Sequence, residues 1–268
     1  MNAAFTSLQD KQAQPHWAAL FISDLHLSPD MPHTAEAFFN FLKSKALDTK
    51  ELYLLGDIFE YWAGDDDLEE PFNQSIVTAL ATLNKRGVNI YWLAGNRDFL
   101  VGEKFAHASH LQLLSEPVVT TIAGNKILLL HGDAQCTDDT AYMAFRAQVR
   151  NPIWQREFLE QDLNKRKALI AGMRAGSKDA QKNKSMEIMD VNQAAIAALF
   201  ESHQVKTMIH GHTHRPKQHH HQTQQGDCTR YVLPDWDYDA QETRGGWLGI
   251  NQTGEINLVT NAKPDFAS

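Results

Sequence analysis

A chain of 268 residues has ample length for one large domain or two small ones and needs no covalent staple to bury a core. Hydrophobic residues at 43% and charged residues at 22% exclude the disordered class, and a net charge of -8 argues against a general nucleic-acid binder, whose phosphate contacts need a basic footprint. Cys136 and Cys228 follow no metal-ligand or redox spacing, no apolar run approaches the roughly 18 residues of a spanning helix, and residues 1–14 lack a signal pattern, so a cytosolic location is expected.

Apolar runs at 18–22, 52–55, 89–93 and 126–130 end abruptly in polar residues and predict buried strands. Between them, 34–45 and 72–86 place Phe38, Phe39 and Leu42, then Ile76, Ala79, Leu80 and Leu83, on single helical faces. This is a βαβ rhythm. After Asp133 strand patterns stop until Thr207, and helical patterns occupy 140–149, 153–167, 169–173 and 189–201. Strands resume at 207–209, 229–233, 247–251 and 255–259, with Gly- and Asp-containing turns that predict antiparallel pairing. The reading is an α/β core over 17–134 and 203–262, a helical insertion over 135–202 and a flexible lead-in over 1–16. The polar stretch 218–225, with His219, His220 and His221, reads as a hairpin tip.

Charge is distributed unevenly. From Arg146 to Lys184 there are ten Lys/Arg against four Asp/Glu, so this segment carries +6 and is built to meet anions. Seven of the 13 histidines lie between His203 and His221, and imidazole clustered near carboxylates points to metal.

Each core strand runs into possible ligands: Asp24 and His26, Gly56-Asp57, Gly95-Asn96-Arg97-Asp98, His131-Gly132-Asp133, and Gly211-His212-Thr213-His214. In open α/β sheets ligands bind at the carboxyl ends of strands, so these clusters can converge. Singly, each also reads as a cap, a turn or a core histidine. Together they are specific.

These motifs resemble the calcineurin-like metallophosphoesterase superfamily over nearly the whole chain. The resemblance implies a four-layer αββα sandwich with an inserted helical lid and two divalent metals. It places one metal on Asp24, His26, Asp57 and His214, with Asp57 bridging to a second on Asn96, His131 and His212. Imidazole, carboxylate and amide donors without thiolate suit Mn²⁺, Fe or Zn²⁺ better than Mg²⁺ or Ca²⁺. Two dications against two carboxylates leave about +2, a resting place for phosphate or pyrophosphate.

The expected chemistry is in-line attack of a metal-acidified water on phosphorus. Many members of the superfamily carry a proton-donating histidine where this chain has Arg97, and a guanidinium cannot donate usefully. A phosphate leaving from an anhydride needs no such acid, since its second pKa is about 6. Pyrophosphate cleavage with Arg97 clamping phosphate oxygens is therefore expected, with Asp57, Asn96 and Arg97 as the catalytic group.

In the insertion, Arg174, Ser177, Gln181 and Lys184 are spaced three, four and three apart, one face of a helix, which is either a solvated stripe or a row of donors. Tyr142, Phe145, Ile153, Trp154, Phe158, Met173, Met186 and Met189 supply either helix-to-core packing or a greasy groove beside that strip. Together with the motifs above, 56–60, 64–67, 95–100, 136–139, 189–193 and 209–216 resemble the bacterial UDP-2,3-diacylglucosamine pyrophosphatase family of lipid A biosynthesis. That resemblance implies hydrolysis at the α-phosphorus to UMP and 2,3-diacylglucosamine 1-phosphate, two Mn²⁺ per chain, and peripheral association with the cytoplasmic face of the inner membrane. Its substrate contacts fall on Asn96, Arg97, Asp139, Tyr142, Arg174, Ser177, Gln181, Lys184 and His212, with glutamine at 181 where the family has asparagine. Docking through Lys165, Arg166 and Lys167 to anionic headgroups is expected.

No nucleic acid and no obligate protein partner are expected. Alternatives are a soluble nucleotide pyrophosphatase or phosphomonoesterase of the same superfamily, or a binding module that has lost catalysis; Arg97, the Met-rich insertion and the filled ligand positions argue against them.

Overall fold

Alternate side chains of β1 (Trp17–Ile22) point to opposite faces, and each face meets its own core. Leu20 and Ile22 pack with helical residues such as Phe38 and Leu80, whereas Ala19 and Phe21 pack with Ile127, Leu129 and Ile209 of a second sheet. The computed structural model describes residues 15–181 and 190–261, the side chains of 177–181 excepted.

The chain continues through α1 (Pro32–Lys43), β2 (Thr49–Leu54), α2 (Pro71–Lys85), β3 (Asn89–Leu93), α3 (Glu103–Ser109) and β4 (Gln112–Leu114). Proline opens α1 and α2, where its missing N–H costs nothing. Next come β5 (Val118–Ile122), β6 (Asn125–Leu129), α4 (Thr140–Val149), α5 (Pro152–Leu159), α6 (Leu163–Gln181) and α7 (Gln193–His203). The last elements are β7 (Thr207–His210), β8 (Lys217–Thr223), β9 (Gly226–Val232), β10 (Gly246–Asn251) and β11 (Ile256–Thr260).

The first sheet has the order β11-β10-β1-β2-β3-β4 and the second β5-β6-β7-β9-β8. β1 to β4 are mutually parallel, as are β6, β7 and β9, so their carboxyl ends gather on one side. A third core joins Leu128, Leu130 and Met208 of the second sheet to Ile196 and Phe200 of α7. Helices, sheet, sheet and helix make four layers, the α/β sandwich expected, and α7 belongs by packing to the outermost one.

Several elements differ from expectation. β9 pairs parallel with β7 because β8 takes the reversed path at the sheet edge; β10 with β11 and β8 with β9 are antiparallel as expected. The polar stretch at 218–225 is mostly strand β8, and only 224–225 form the turn. The helical pattern 153–167 is broken because Asp162 Oδ1 accepts from Asn164 N at 2.9 Å and caps α6, which then runs unbroken through 169–173. Asn192 likewise caps α7, accepting from Ala194 and Ala195.

The expected outward-facing basic cluster is corrected at Arg166. It is 1% exposed, and its guanidinium donates to Ala63 O, Gln161 O and Asp66, while Lys167 reaches Asp67 at 2.7 Å. Two acids on the loop after β2 thus tie down the start of α6. No helix among the described residues is long and apolar enough to cross a membrane.

Candidate metal centre

The parallel strands β1, β2, β3, β6 and β7 deliver Asp24, Asp57, Asn96, His131 and His212 to one end of the sandwich. Their turns interlock: Asp24 N donates to Gly56 O and His26 N to Asp57 O, both at 3.0 Å, and Gly211 N donates to His131 O at 2.9 Å. A Cβ at Gly95 would come within 2.1 Å of Asp57 Oδ1, so only glycine permits this approach.

Two triads result, Asp24 with His26 and His214, and Asp57 with His131 and His212; within each, one ligand atom per residue lies within 4.8 Å of the others. Asp24, His26, Asp57, His212 and His214 all have φ between 50° and 67°. Left-handed backbone in non-glycine residues persists only where surrounding contacts impose it, and it concentrates at functional sites.

The donor atoms fit cations. Asp24 Oδ2 accepts from Ser23 Oγ at 2.5 Å and His212 N at 2.9 Å, whereas its buried Oδ1 has no hydrogen bond. That oxygen and His26 Nε2 each lie 3.4 Å from His214 Nε2. In the other triad, His131 Nδ1 donates to Leu55 O at 2.9 Å, which turns Nε2 toward Asn96 Oδ1 at 3.0 Å and Asp57 Oδ1 at 3.7 Å. Lone pairs aimed at one another need a proton or a metal between them.

Electrostatics agree. Burial disfavours the His131 imidazolium, yet Asp57, Asp24, Asp133 and Glu116 raise its pKa to about 9, so the surrounding carboxylates favour positive charge at this spot. Burial alone would raise Asp24, but His214, His131 and His26 hold it far below the usual carboxylate range. Burial and then His131 push His212 down to about 4, leaving it neutral and ready to ligate.

The other expected site residues are placed as follows. Arg97 is half-buried in the cavity above the triads; its N–H donates to Asp57 Oδ1 at 2.7 Å, and its guanidinium has no partner among the described residues. Asp139 caps α4 by accepting from Tyr142 N at 3.0 Å. The Tyr142 hydroxyl donates to Asp133 Oδ2 at 2.6 Å, and its ring stacks on His212 with centroids 6.1 Å apart. Arg174 pairs with Glu60 and lies 5.6 Å over the Tyr61 ring. Ser177 and Gln181 lie on α6 with side chains outside the described set, and Lys184 lies outside the described residues.

Sequence reasoning missed an outer ring of carboxylates. Asp98 accepts from the N–H groups of Gly95 and Ile58 at 2.8 Å, Asp57 at 3.3 Å and Phe59 at 3.4 Å, shaping two ligand turns at once. Asp133 binds Arg146 at 2.8 Å, Glu116 receives His131 N at 2.9 Å, and Asp235 lies 3.7 Å from His214 Nδ1. Asp98 and Asp133 stood inside the quoted motifs and Glu60 at the end of the stretch 56–60; Glu116 and Asp235 carried no such signal.

A cavity of about 790 Å³ opens over the centre, with Asp57, Asn96 and Arg97 at its floor and Phe145, Trp154 and Met173 among its apolar walls. Residues 19–216 match the family described as calcineurin-like phosphoesterase. UDP-2,3-diacylglucosamine hydrolase of Aromatoleum aromaticum is 48% identical over 87% of this chain and 94% of its own. Its namesakes in Shigella dysenteriae and Bordetella pertussis are 46% and 45% identical over 82% and 90% of this chain and 91% and 93% of theirs. The two triads within such a phosphoesterase fold indicate a dinuclear metal site. The chain belongs to the calcineurin-like phosphoesterases and, within them, to the UDP-2,3-diacylglucosamine hydrolase family.

Proposed function

We propose that this chain hydrolyses the pyrophosphate of UDP-2,3-diacylglucosamine at the α-phosphorus, giving UMP and 2,3-diacylglucosamine 1-phosphate. The observation that carries the reading is one cavity that joins a phosphate-seeking floor of Asp57, Asn96 and Arg97 to apolar walls, a combination that matches a lipid-linked diphosphate.

Asp24, His26, Asp57 and His214 would hold one ion and Asp57, Asn96, His131 and His212 the other, with Mn²⁺ as the metal that suits these donors. When bound, the pair supplies Lewis acidity to the phosphoryl oxygens and lowers the pKa of the attacking water. The Arg97 guanidinium, unpaired among the described residues, clamps phosphate oxygens in a charge-assisted, bidentate fashion, and because it cannot donate a proton the leaving group must be an intrinsically good one. Arg174, released from Glu60, and Tyr142 line the route between anhydride and acyl chains, and Asp139, Ser177, Gln181 and Lys184 complete the substrate contacts. The α4 to α6 segment acts as the lid, within an insertion over 135–202.

Peripheral binding at the cytoplasmic face of the inner membrane completes the proposal. Five of the six exposed large apolar side chains among the described residues, Phe145, Ile153, Leu159, Leu169 and Met173, lie on α4 to α6. Apolar side chains entering the interface beside Lys165 would give the lid reach to a lipid substrate.

Hydrolysis in oxygen-18 water tests the reaction: label in UMP supports α-attack, and label in the sugar phosphate overturns it. Equal turnover of UDP-N-acetylglucosamine and the diacylated substrate would favour a soluble nucleotide pyrophosphatase. Undiminished sedimentation of Ile153→Glu/Leu169→Glu with anionic vesicles would overturn the docking surface.

A further inference from the structure

Arg230 sits in the middle of β9, 1% exposed, and forms no ion pair among the described residues. The carboxylate that acts on it electrostatically, Asp190, makes its ion pair with Arg215 instead, and burial outweighs it and lowers the Arg230 pKa, so an aliphatic side chain in this place would forfeit no ion pair. What it does contact is two histidines. Nη1 donates to His210 Nε2 at 2.9 Å and Nε donates to His221 Nε2 at 3.3 Å. A guanidinium only donates, so both imidazole nitrogens accept.

His210 is then fully specified. Its other nitrogen, Nδ1, lies 2.8 Å from Gly211 O, which only accepts, so Nδ1 carries the hydrogen. The ring is wedged beneath two ligand turns: a Cβ on Gly132 would come within 2.7 Å of His210 Nδ1, and the Gly211 carbonyl also accepts from Thr213 N at 2.8 Å. The turn so held presents His212 to one triad and His214 to the other. His221 belongs to the histidine run left without a role by the sequence; its ring lies 5.6 Å from that of Phe200, while His220 on the opposite face of β8 is exposed.

We propose that His221, Arg230 and His210 form a positioning chain behind the metal centre: Arg230 fixes the tautomer of His210, His210 fixes the Gly211 carbonyl, and the turn thereby holds both triads in register. None of the three belongs to a triad or lines the cavity. The inference rests on the dinuclear reading, and its test separates the two.

Ring nitrogen-15 NMR of metal-free protein reports the His210 tautomer, and titration calorimetry reports Mn²⁺ affinity. The wild type is expected to show neutral Nδ1–H at His210. Arg230→Met loses the single tautomer and weakens Mn²⁺ binding by about 10- to 100-fold, the range for partners of ligating residues, without a lower melting temperature of the metal-free protein. His221→Leu weakens binding by less, His221→Gln, which keeps an acceptor, restores it, and His220→Ala changes nothing. An Nε2–H tautomer in the wild type overturns the proposal, as does unchanged Mn²⁺ affinity in folded Arg230→Met. Should Arg230→Met not fold, the wild-type tautomer and the contrast between the two His221 variants decide. Failure of the wild type to bind Mn²⁺ would instead overturn the dinuclear reading, while the tautomer still tests the chain of contacts.

Discussion

Glu60 Oε2 lies 3.2 Å from His26 Nδ1, on the side of the ring away from His214, and its other oxygen receives Arg174 of α6. His26 Nδ1 makes no hydrogen bond among the described residues, so Glu60 stands close behind the ring without being aligned on it, while it pairs with a cavity arginine. A carboxylate behind a ligating histidine orients the ring and raises its basicity, and losing it costs about 10- to 100-fold in metal affinity or activity. Glu60→Gln is expected to weaken Mn²⁺ binding within that range and to free Arg174, which calorimetry and the separate change in KM will register.

Asp98 is fully buried and is the acceptor for four backbone N–H groups in two turns. Asp98→Ala strands those donors, and with each buried unsatisfied group costing about 1–3 kcal/mol the loss should exceed about 3 kcal/mol in denaturant unfolding. Asp98→Asn keeps one acceptor and should lose less than half as much.

Arg166 anchors α6 rather than meeting solvent. Its partner Asp66 is 53% exposed, so the ion pair contributes little, and the loss in Arg166→Met comes from the carbonyls of Ala63 and Gln161 left without a donor. A loss of about 1–3 kcal/mol in unfolding free energy is expected. Vesicle binding of the folded variant should match the wild type.

For Arg97, the lysine variant keeps the charge and loses the planar fork. Arg97→Lys should lower kcat for the diacylated substrate by about tenfold or more, the scale of one charge-assisted contact. Unchanged turnover would remove the clamp from the mechanism.

Burial first, then Asp133, Asp190 and Asp139, raises the Cys136 thiol to about 12. Above pH 9 the unfolded thiol loses its proton while the folded one keeps it, so stability falls as pH rises from about 9 toward 12, at up to about 1.4 kcal/mol per pH unit. Below pH 9 this group has no effect. Cys136→Ala should move the onset of alkaline destabilisation upward, read from denaturant midpoints at pH 8 to 11.

The strand-end clusters were legible only jointly: any one reads as a cap, a turn or a core histidine, but five in succession, each directly after an apolar strand pattern, leave metal ligation as their common use. Arg166 was misread because a charge in sequence suggests solvent, and only the fold brings Ala63 and Asp66 beneath it. β8 escaped notice because its alternation is polar on both faces, His221 being half-buried against Phe200 without an apolar neighbour in sequence. Glu116 and Asp235 act at separations that no local pattern encodes, the first supporting His131 from before β5 and the second facing His214 from the loop after β9.

Five cage residues bend left-handed, and backbone hydrogen bonds tie the turn of Asp24 and His26 to that of Gly56 and Asp57. The geometry of the cage is therefore set by interlocked backbone turns and not by the reach of its side chains alone. A change in any one turn is thereby passed to ligands on neighbouring strands, so a loss of metal affinity should spread over both triads rather than stay with the ligand whose turn was altered.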